Sequence, residues 1–256
     1  MNSTPYPGAQ AITRAVTLLK HFSDSQPEWR LAELAREVKL NKTTTYRLLA
    51  ALESEGLIMR SVAHDSYRLG PELIALGGRA LRSNDLRTIS HTELATLAQA
   101  TQETATLEVW RDQEMLVLDE VLGQHLISTV PSMGMRWPLH ATSTGKAVLA
   151  YLSDEARAAA LPRRLATPTD KTIRDRETLF AELARIRARG YAVAQEELEE
   201  NYVAVGAPIF NHEGQVIAAI SLGGLNTRLK AQRVNELAPR VKEAAARISY
   251  QLGYRK

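Results

Sequence analysis

Between Leu31 and Leu52 two short helical patterns meet across a junction that leaves few ways to fold. Leu31, Leu34, Ala35 and Val38 recur at helical spacing, and Thr45, Leu48, Leu49 and Leu52 resume it after Leu40-Asn41. Asn41 suits the N-cap of the second pattern, because its side chain can accept a hydrogen bond from an otherwise orphan amide of the first turn. The turn is therefore sharp, and the second helix is predicted to turn Thr45, Leu48, Leu49 and Leu52 inward. Thr43, Tyr46 and Arg47 then lie on the opposite face, flanked by Lys42 and Thr44 at the helix start. A helix about 10 to 12 Å across fits the major groove of B-DNA, where side chains of its amino end reach base edges. Lys42, Thr43, Thr44, Tyr46 and Arg47 are the candidate DNA-reading residues.

The flanking segments complete a small domain. Ile12, Ala15, Val16, Leu19 and Phe22 share one face of a first helix, stopped by the polar run 23–27. Gly56 ends the reading helix, and 57–60 and 66–69 read as two strands joined by a turn at Ala63-His64-Asp65. Such a hairpin is a wing, with Arg60 and Arg68 available for phosphates. Three helices and a hairpin also occur in domains that bind only proteins. The combination of tight helix pair, polar reading face and basic hairpin favours double-stranded DNA.

With 256 residues the chain exceeds one ordinary domain, which predicts a winged helix-turn-helix over 1–70, a linker helix over 71–84 and a larger domain over 85–256. Hydrophobic residues at 45% and charged residues at 24% give enough apolar side chains for a packed core in each. Cysteine is absent, which excludes disulfides, thiolate nucleophiles and cysteine-based metal sites. Neither a targeting segment nor a run of about 18 apolar residues is visible, so a cytoplasmic location and no membrane partner are expected. A net charge of +3 is too small to decide for or against a polyanionic partner.

After Gly70, Leu73, Ile74, Leu76 and Leu81 repeat at helical spacing in spite of Gly77 and Gly78. The larger region reads as a helix over 86–101 and strands over 104–110 and 114–122. A loop-rich middle follows, then helices over 145–152, 154–161 and 174–189. Strands over 191–196, 203–210 and 215–222 precede a terminal helix over 230–252, in which Pro239 should impose a kink or start a separate helix. Strands beside helices without regular alternation predict an α+β domain with a mainly antiparallel sheet.

Ser143-Thr-Gly-Lys146 matches the S-x-x-K pattern of serine hydrolases and acyltransferases, but the partner motifs that would complete such a site are missing. It also fails as a phosphate-binding loop, since His140 stands where glycine is required and Ala147 lacks the hydroxyl for Mg²⁺. Ser143 and Thr144 remain as helix caps or as an anion-friendly cavity wall. His140 reads as a packed histidine, with no metal site expected. Met133, Met135 and Trp137 could cover an apolar or aromatic ligand or simply fill a core. Glu196, Glu197, Glu199 and Glu200 form an acidic run of the kind that usually faces solvent.

Three stretches resemble the IclR family of transcription regulators: LAELAREVKLNKTTTYRLL over 31–49 with YRLG over 67–70; WPLHATSTGKAVLA over 137–150; and GYAVAQEE over 190–197 with VGAPIF over 205–210 and AAIS over 218–221. The resemblance spans the chain. It implies a non-enzymatic, repressing DNA-binding regulator without cofactor, whose GAF-like C-terminal domain senses a small organic acid. The linker helix would help form a homodimer or tetramer. The effector contacts it implies are Met133, Leu139, His140, Ser143, Thr144, Gly145, Glu196, Ala204, Ser221 and Gly223. The chain departs from the family pattern at Asn41, where proline is common, at Ala194 and Ala204, where aspartate and cysteine are frequent, and at Gly223, where a serine is. These changes imply a roomier, less polar pocket, and they put the family's ligand contacts at Ala194 and Ala204 in doubt. A ligand sensor acting through protein contacts without DNA is the remaining alternative.

Overall fold

The computed structural model describes residues 9–61, 65–124 and 132–255, and the chain divides into two compact units, Met1–Ser83 and Asn84–Lys256. The hairpin turn expected at 63–65 is described only at Asp65, and the segment 1–8 also lies outside the described residues.

In the first unit, α1 (Gln10–Leu19), α2 (Leu31–Glu37) and α3 (Lys42–Ser54) surround a core of Leu18, Leu34, Leu49, Leu52, Ile58 and Tyr67. A three-stranded antiparallel sheet, ordered β1 (Glu28–Trp29), β3 (Ser66–Leu69), β2 (Ile58–Ser61), closes one side. Asn41 caps α3 as its chemistry predicts, with Oδ1 accepting from the Thr44 amide at 2.8 Å. Asn41→Ala is expected to destabilise this unit by about 1 kcal/mol, with Asn41→Ser close to wild type. Thermal unfolding reads the difference, and an unchanged alanine variant would mean that the cap contributes nothing.

The inward face of α1 differs from the expected one. Ile12 and Val16 are 69% and 44% exposed, while Leu18, absent from the predicted stripe, is fully buried. The helix carries two overlapping apolar stripes, and contact with α3 selects the one containing Leu18. Helix α4 (Pro71–Arg82) belongs to this first unit by its contacts and buries none of its residues, so Ile74 and Leu76 stand exposed.

The second unit holds α5 (Asp85–Thr101), β4 (Thr104–Arg111), β5 (Glu114–Val121), β6 (Arg136–Pro138), α6 (Ser143–Leu149) and α7 (Asp154–Ala160). It continues with α8 (Arg176–Arg189), β7 (Ala192–Gln195), β8 (Tyr202–Phe210), β9 (Val216–Leu225) and α9 (Ala231–Gln251). The sheet is antiparallel throughout, in the order β6-β5-β4-β9-β8-β7. Strand β6, unforeseen in the loop-rich middle, pairs with β5.

Alternation along β4 separates two faces: Ala105, Leu107 and Val109 on one, Thr104, Thr106 and Glu108 on the other. Helices α5 and α9 pack together against the sheet, and α6 lies over β8 and β9. Pro239 sits within a single uninterrupted α9, so no separate helix starts there. It is exposed together with Asn235, whose carbonyl loses its helical donor and faces water instead.

Candidate DNA-reading helix and ligand cavity

On α3, Lys42, Thr43, Tyr46 and Arg47 are exposed and Thr44 is half-buried, while Thr45, Leu49 and Leu52 are buried. Among the described residues no hydrogen bond or ion pair occupies the side chains of Lys42, Tyr46 or Arg47. The outward face of this helix is thus a row of uncommitted donors around one cation at each end.

The wing distributes its arginines unevenly. Met59 pairs with Arg68 and Arg60 with Tyr67, and cross-strand partners share a face, so Arg60 and Arg68 project from opposite faces of the hairpin. Arg60 donates to Asp65 Oδ1 at 2.6 Å and lies 5.9 Å from the Tyr67 ring centre. Both members of this ion pair are exposed, so it would yield readily to a phosphate.

The second unit contains a cavity of about 640 Å³ between the polar face of the sheet, the start of α6 and the segment leading to β6. Its floor is built by strand alternation. Thr104, Thr106 and Glu108 of β4 line it, and Ser221 of β9 stands opposite Thr106 with the two hydroxyls 2.8 Å apart. Ser143 and Thr144 enter from α6, and Met135, Trp137, Tyr202 and Ala204 supply much of the remaining wall. Helix α6 approaches the sheet closely because Gly206 of β8 lies beneath it, where an added Cβ would meet the Ser143 and Thr144 backbone.

Two carboxylates in this region are buried for different reasons. Glu108 accepts from the Thr144 hydroxyl at 2.6 Å and the Thr106 hydroxyl at 3.2 Å. Burial outweighs these bonds and raises its pKa from 4.5 to about 7. Glu197 instead holds Lys146, whose Nζ donates to Glu197 Oε1 at 2.5 Å and to Val193 O at 2.8 Å. Burial pushes Lys146 down and Glu197 up from their ordinary values, and each is opposed by the other's charge. The Tyr202 phenol is also raised, by burial first and then by Glu108 and Glu120. Glu120 accepts from the Ser132 amide at 3.0 Å and the Ser132 hydroxyl at 2.7 Å.

Of the residues expected at the effector, the structure brings Ser143, Thr144, Ala204 and Ser221 together around the cavity. Gly223 is on the cavity-facing side of β9, but the Tyr202 phenol covers it. Gly145 lies against the Leu139 backbone, and Leu139 joins the apolar core with Met115 and Ala147. The His140 ring contacts Ala166 O at 2.7 Å and borders a separate depression with Asp112 and Arg164, and burial lowers its pKa. Glu196 turns to Lys171, at 2.5 Å, and to the Asn201 amide at 3.0 Å. Met133 is 41% exposed and does not line the cavity, whereas its neighbours Ser132 and Met135 do.

Thr104, Thr106, Glu108, Glu120 and Tyr202 were not anticipated. The alternation of Thr104, Thr106 and Glu108 with Ala105, Leu107 and Val109 was the available signal, since it sets three polar groups on one strand face. The acyltransfer reading finds no support in the geometry: Lys146 is committed to Glu197 and Val193, not to Ser143. Among the described residues no cluster of three or more histidine or carboxylate side chains could hold a metal ion, and no helix is long and apolar enough to cross a membrane.

A helix-turn-helix with an exposed polar outer face, joined in one chain to a unit with a cavity of ligand size, defines a ligand-responsive DNA-binding regulator. Residues 11–61 match the IclR helix-turn-helix domain, and residues 78–250 match the bacterial transcriptional regulator IclR C-terminal domain. The chain is 30% identical to the HTH-type transcriptional regulator XynR of Escherichia coli over 249 residues, 97% of this chain and 99% of that protein. It is 31% identical to the transcriptional repressor IclR of E. coli over 247 residues, 95% of this chain and 90% of the relative. A solved structure of an IclR homolog from Microbacterium hydrocarbonoxydans, complexed with 4-hydroxybenzoate, superposes with a TM-score of 0.79 at 27% identity, covering 95% of this chain and 99% of that one. The chain belongs to the IclR family of transcription regulators.

Proposed function

We propose that this regulator is a cytoplasmic repressor that binds a pseudo-palindromic operator as a homodimer or a pair of dimers, and that a small organic molecule in the cavity modulates that binding. The observation that carries the reading is the exposure of Lys42, Thr43, Tyr46 and Arg47 on a helix whose start is fixed by Asn41. A symmetric pair of such helices would read half-sites about 34 Å apart, or a multiple of that. The bare apolar side chains Ile74 and Leu76 of the linker helix favour assembly with a second copy.

For the ligand, a compact aromatic or aliphatic skeleton fits the wall formed by Met135, Trp137 and Ala204. The organic acid implied by the family resemblance, and exemplified by the 4-hydroxybenzoate of the Microbacterium relative, would meet four glutamates in the lining here. Ligand binding can change operator affinity only through contacts that differ between two arrangements of the protein, typically worth about 1 to 3 kcal/mol.

Gel-shift titration against the DNA adjoining its own gene tests the core of the reading, and a reporter fused to that DNA tests repression. Arg47→Ala is expected to weaken specific operator binding by about 1 to 3 kcal/mol while leaving nonspecific binding nearly unchanged. Equal operator affinity in that variant would remove Arg47 from base reading.

A further inference from the structure

We infer that the cavity takes a small organic cation, a compact molecule whose protonated amine is received by Glu108 and Glu120. The inference rests on the reading of this cavity as the effector site and names the charge of the ligand. Glu108, Glu120, Glu197 and Glu199 all line it, and among the described lining residues there is no lysine, arginine or histidine. The buried ammonium of Lys146 is spent on Glu197. Glu108 and Glu120 are left with hydroxyl and amide donors, and no cation among the described residues answers either.

Hydrogen-bond capacity gives a second, independent indication. Glu197 Oε2 is sealed from solvent with no partner among the described residues, so the lining residue Glu197 is short of donors even where no ligand reaches it. Thr106 and Thr144 already direct their hydroxyls at Glu108. The wall is therefore rich in acceptors with unused lone pairs, and a protonated primary amine, with three N–H groups and no lone pair, complements it. Trp137 and Tyr202 add aromatic faces that favour a cation.

A carboxylate finds the opposite. Its charge would enter a desolvated space beside carboxylates. At the start of α6 the Gly145 amide already donates to Thr142 Oγ1 at 3.0 Å, which leaves an entering carboxylate only the Ser143 and Thr144 amides to set against the four glutamates.

Matched probes decide the question: 4-hydroxybenzylamine, 4-hydroxybenzyl alcohol and 4-hydroxybenzoate, and, in parallel, hexylamine, 1-hexanol and hexanoate. Each is titrated into the full chain by calorimetry and by thermal shift. The expected result is that at least one amine binds tenfold or more tighter than its alcohol, with no binding of the matching acid. Glu108→Gln and, separately, Glu120→Gln should each weaken amine binding at least tenfold and leave the alcohol within twofold. Amine binding should also tighten from pH 6 to pH 8, as Glu108, raised by burial against the bonds from Thr144 and Thr106, ionises in a cavity that Glu120 from β5, Tyr202 from β8 and Glu197 also line.

Tighter binding of an acid than of its amine, equal binding of alcohol and amine, or failure of both amines to bind would each overturn the inference. Gel shifts run alongside separate this from the regulator reading. Operator release by an acid would sink the cation and keep the regulator, whereas amine binding without any operator complex would do the reverse.

Discussion

Lys146→Ala is expected to destabilise the ligand-binding unit by about 3 to 5 kcal/mol, the usual consequence of stripping one partner from a buried ion pair. Lys146 is 1% exposed, and its ammonium ties α6 to Glu197 and to the Val193 carbonyl of β7. Alanine leaves Glu197 buried without its cation, beside an empty volume where three methylenes and an ammonium had been. The measurement is calorimetric unfolding of the full chain, following the transition of the larger unit. The double variant Lys146→Met with Glu197→Leu is expected to recover most of the loss, since apolar side chains of similar size often replace a buried pair at little cost. A single variant within 1 kcal/mol of wild type would show that the pair does not hold α6 in place.

Glu108→Gln is expected to act in the opposite direction and only in one pH range. The folded state raises the Glu108 pKa from 4.5 to about 7, so the protonated form is the one that folding favours. Its contribution is complete below the unfolded value and is lost as pH rises through the folded one. Above pH 7 the wild type carries a cost of about 3 kcal/mol for keeping this carboxylate ionised in the interior. Glutamine keeps the shape and a neutral head at every pH. The variant should therefore unfold at a higher temperature than wild type at pH 8, with the gap shrinking to about a quarter of its size at pH 5. Thermal scans of both proteins across pH 5 to 8 read the difference directly. A gap that is constant with pH would mean that Glu108 is not the titrating group.

The two halves of the site were legible to different degrees. The reading helix could be placed almost residue by residue, because Asn41, Thr45, Leu49 and Lys42 to Arg47 all lie within a few helical turns of one another. Their roles as cap, core and outward face follow from local geometry. The cavity was harder. Ser143, Thr144, Ala204 and Ser221 were anticipated from motifs, but Leu139, His140 and Gly145 lie in the same motif and face elsewhere. A one-residue step along a 3-10 turn or a strand changes the face a side chain occupies, and a motif string does not say which face the fold will bury.

The order of caps, the helical and strand periods, and the polar stripe on β4 were settled by the chain itself, since each depends on interactions among residues close in sequence. What became of Glu108 was decided elsewhere. Thr144 reaches it across 36 positions, Ser221 meets Thr106 across 115, and Lys146 finds Glu197 across 51. Only when α6 is laid over a sheet closed between β4 and β9 does water leave these groups. An ordinary carboxylate then becomes a buried acid facing a cavity, because its solvation is set by neighbours that the linear order keeps far apart.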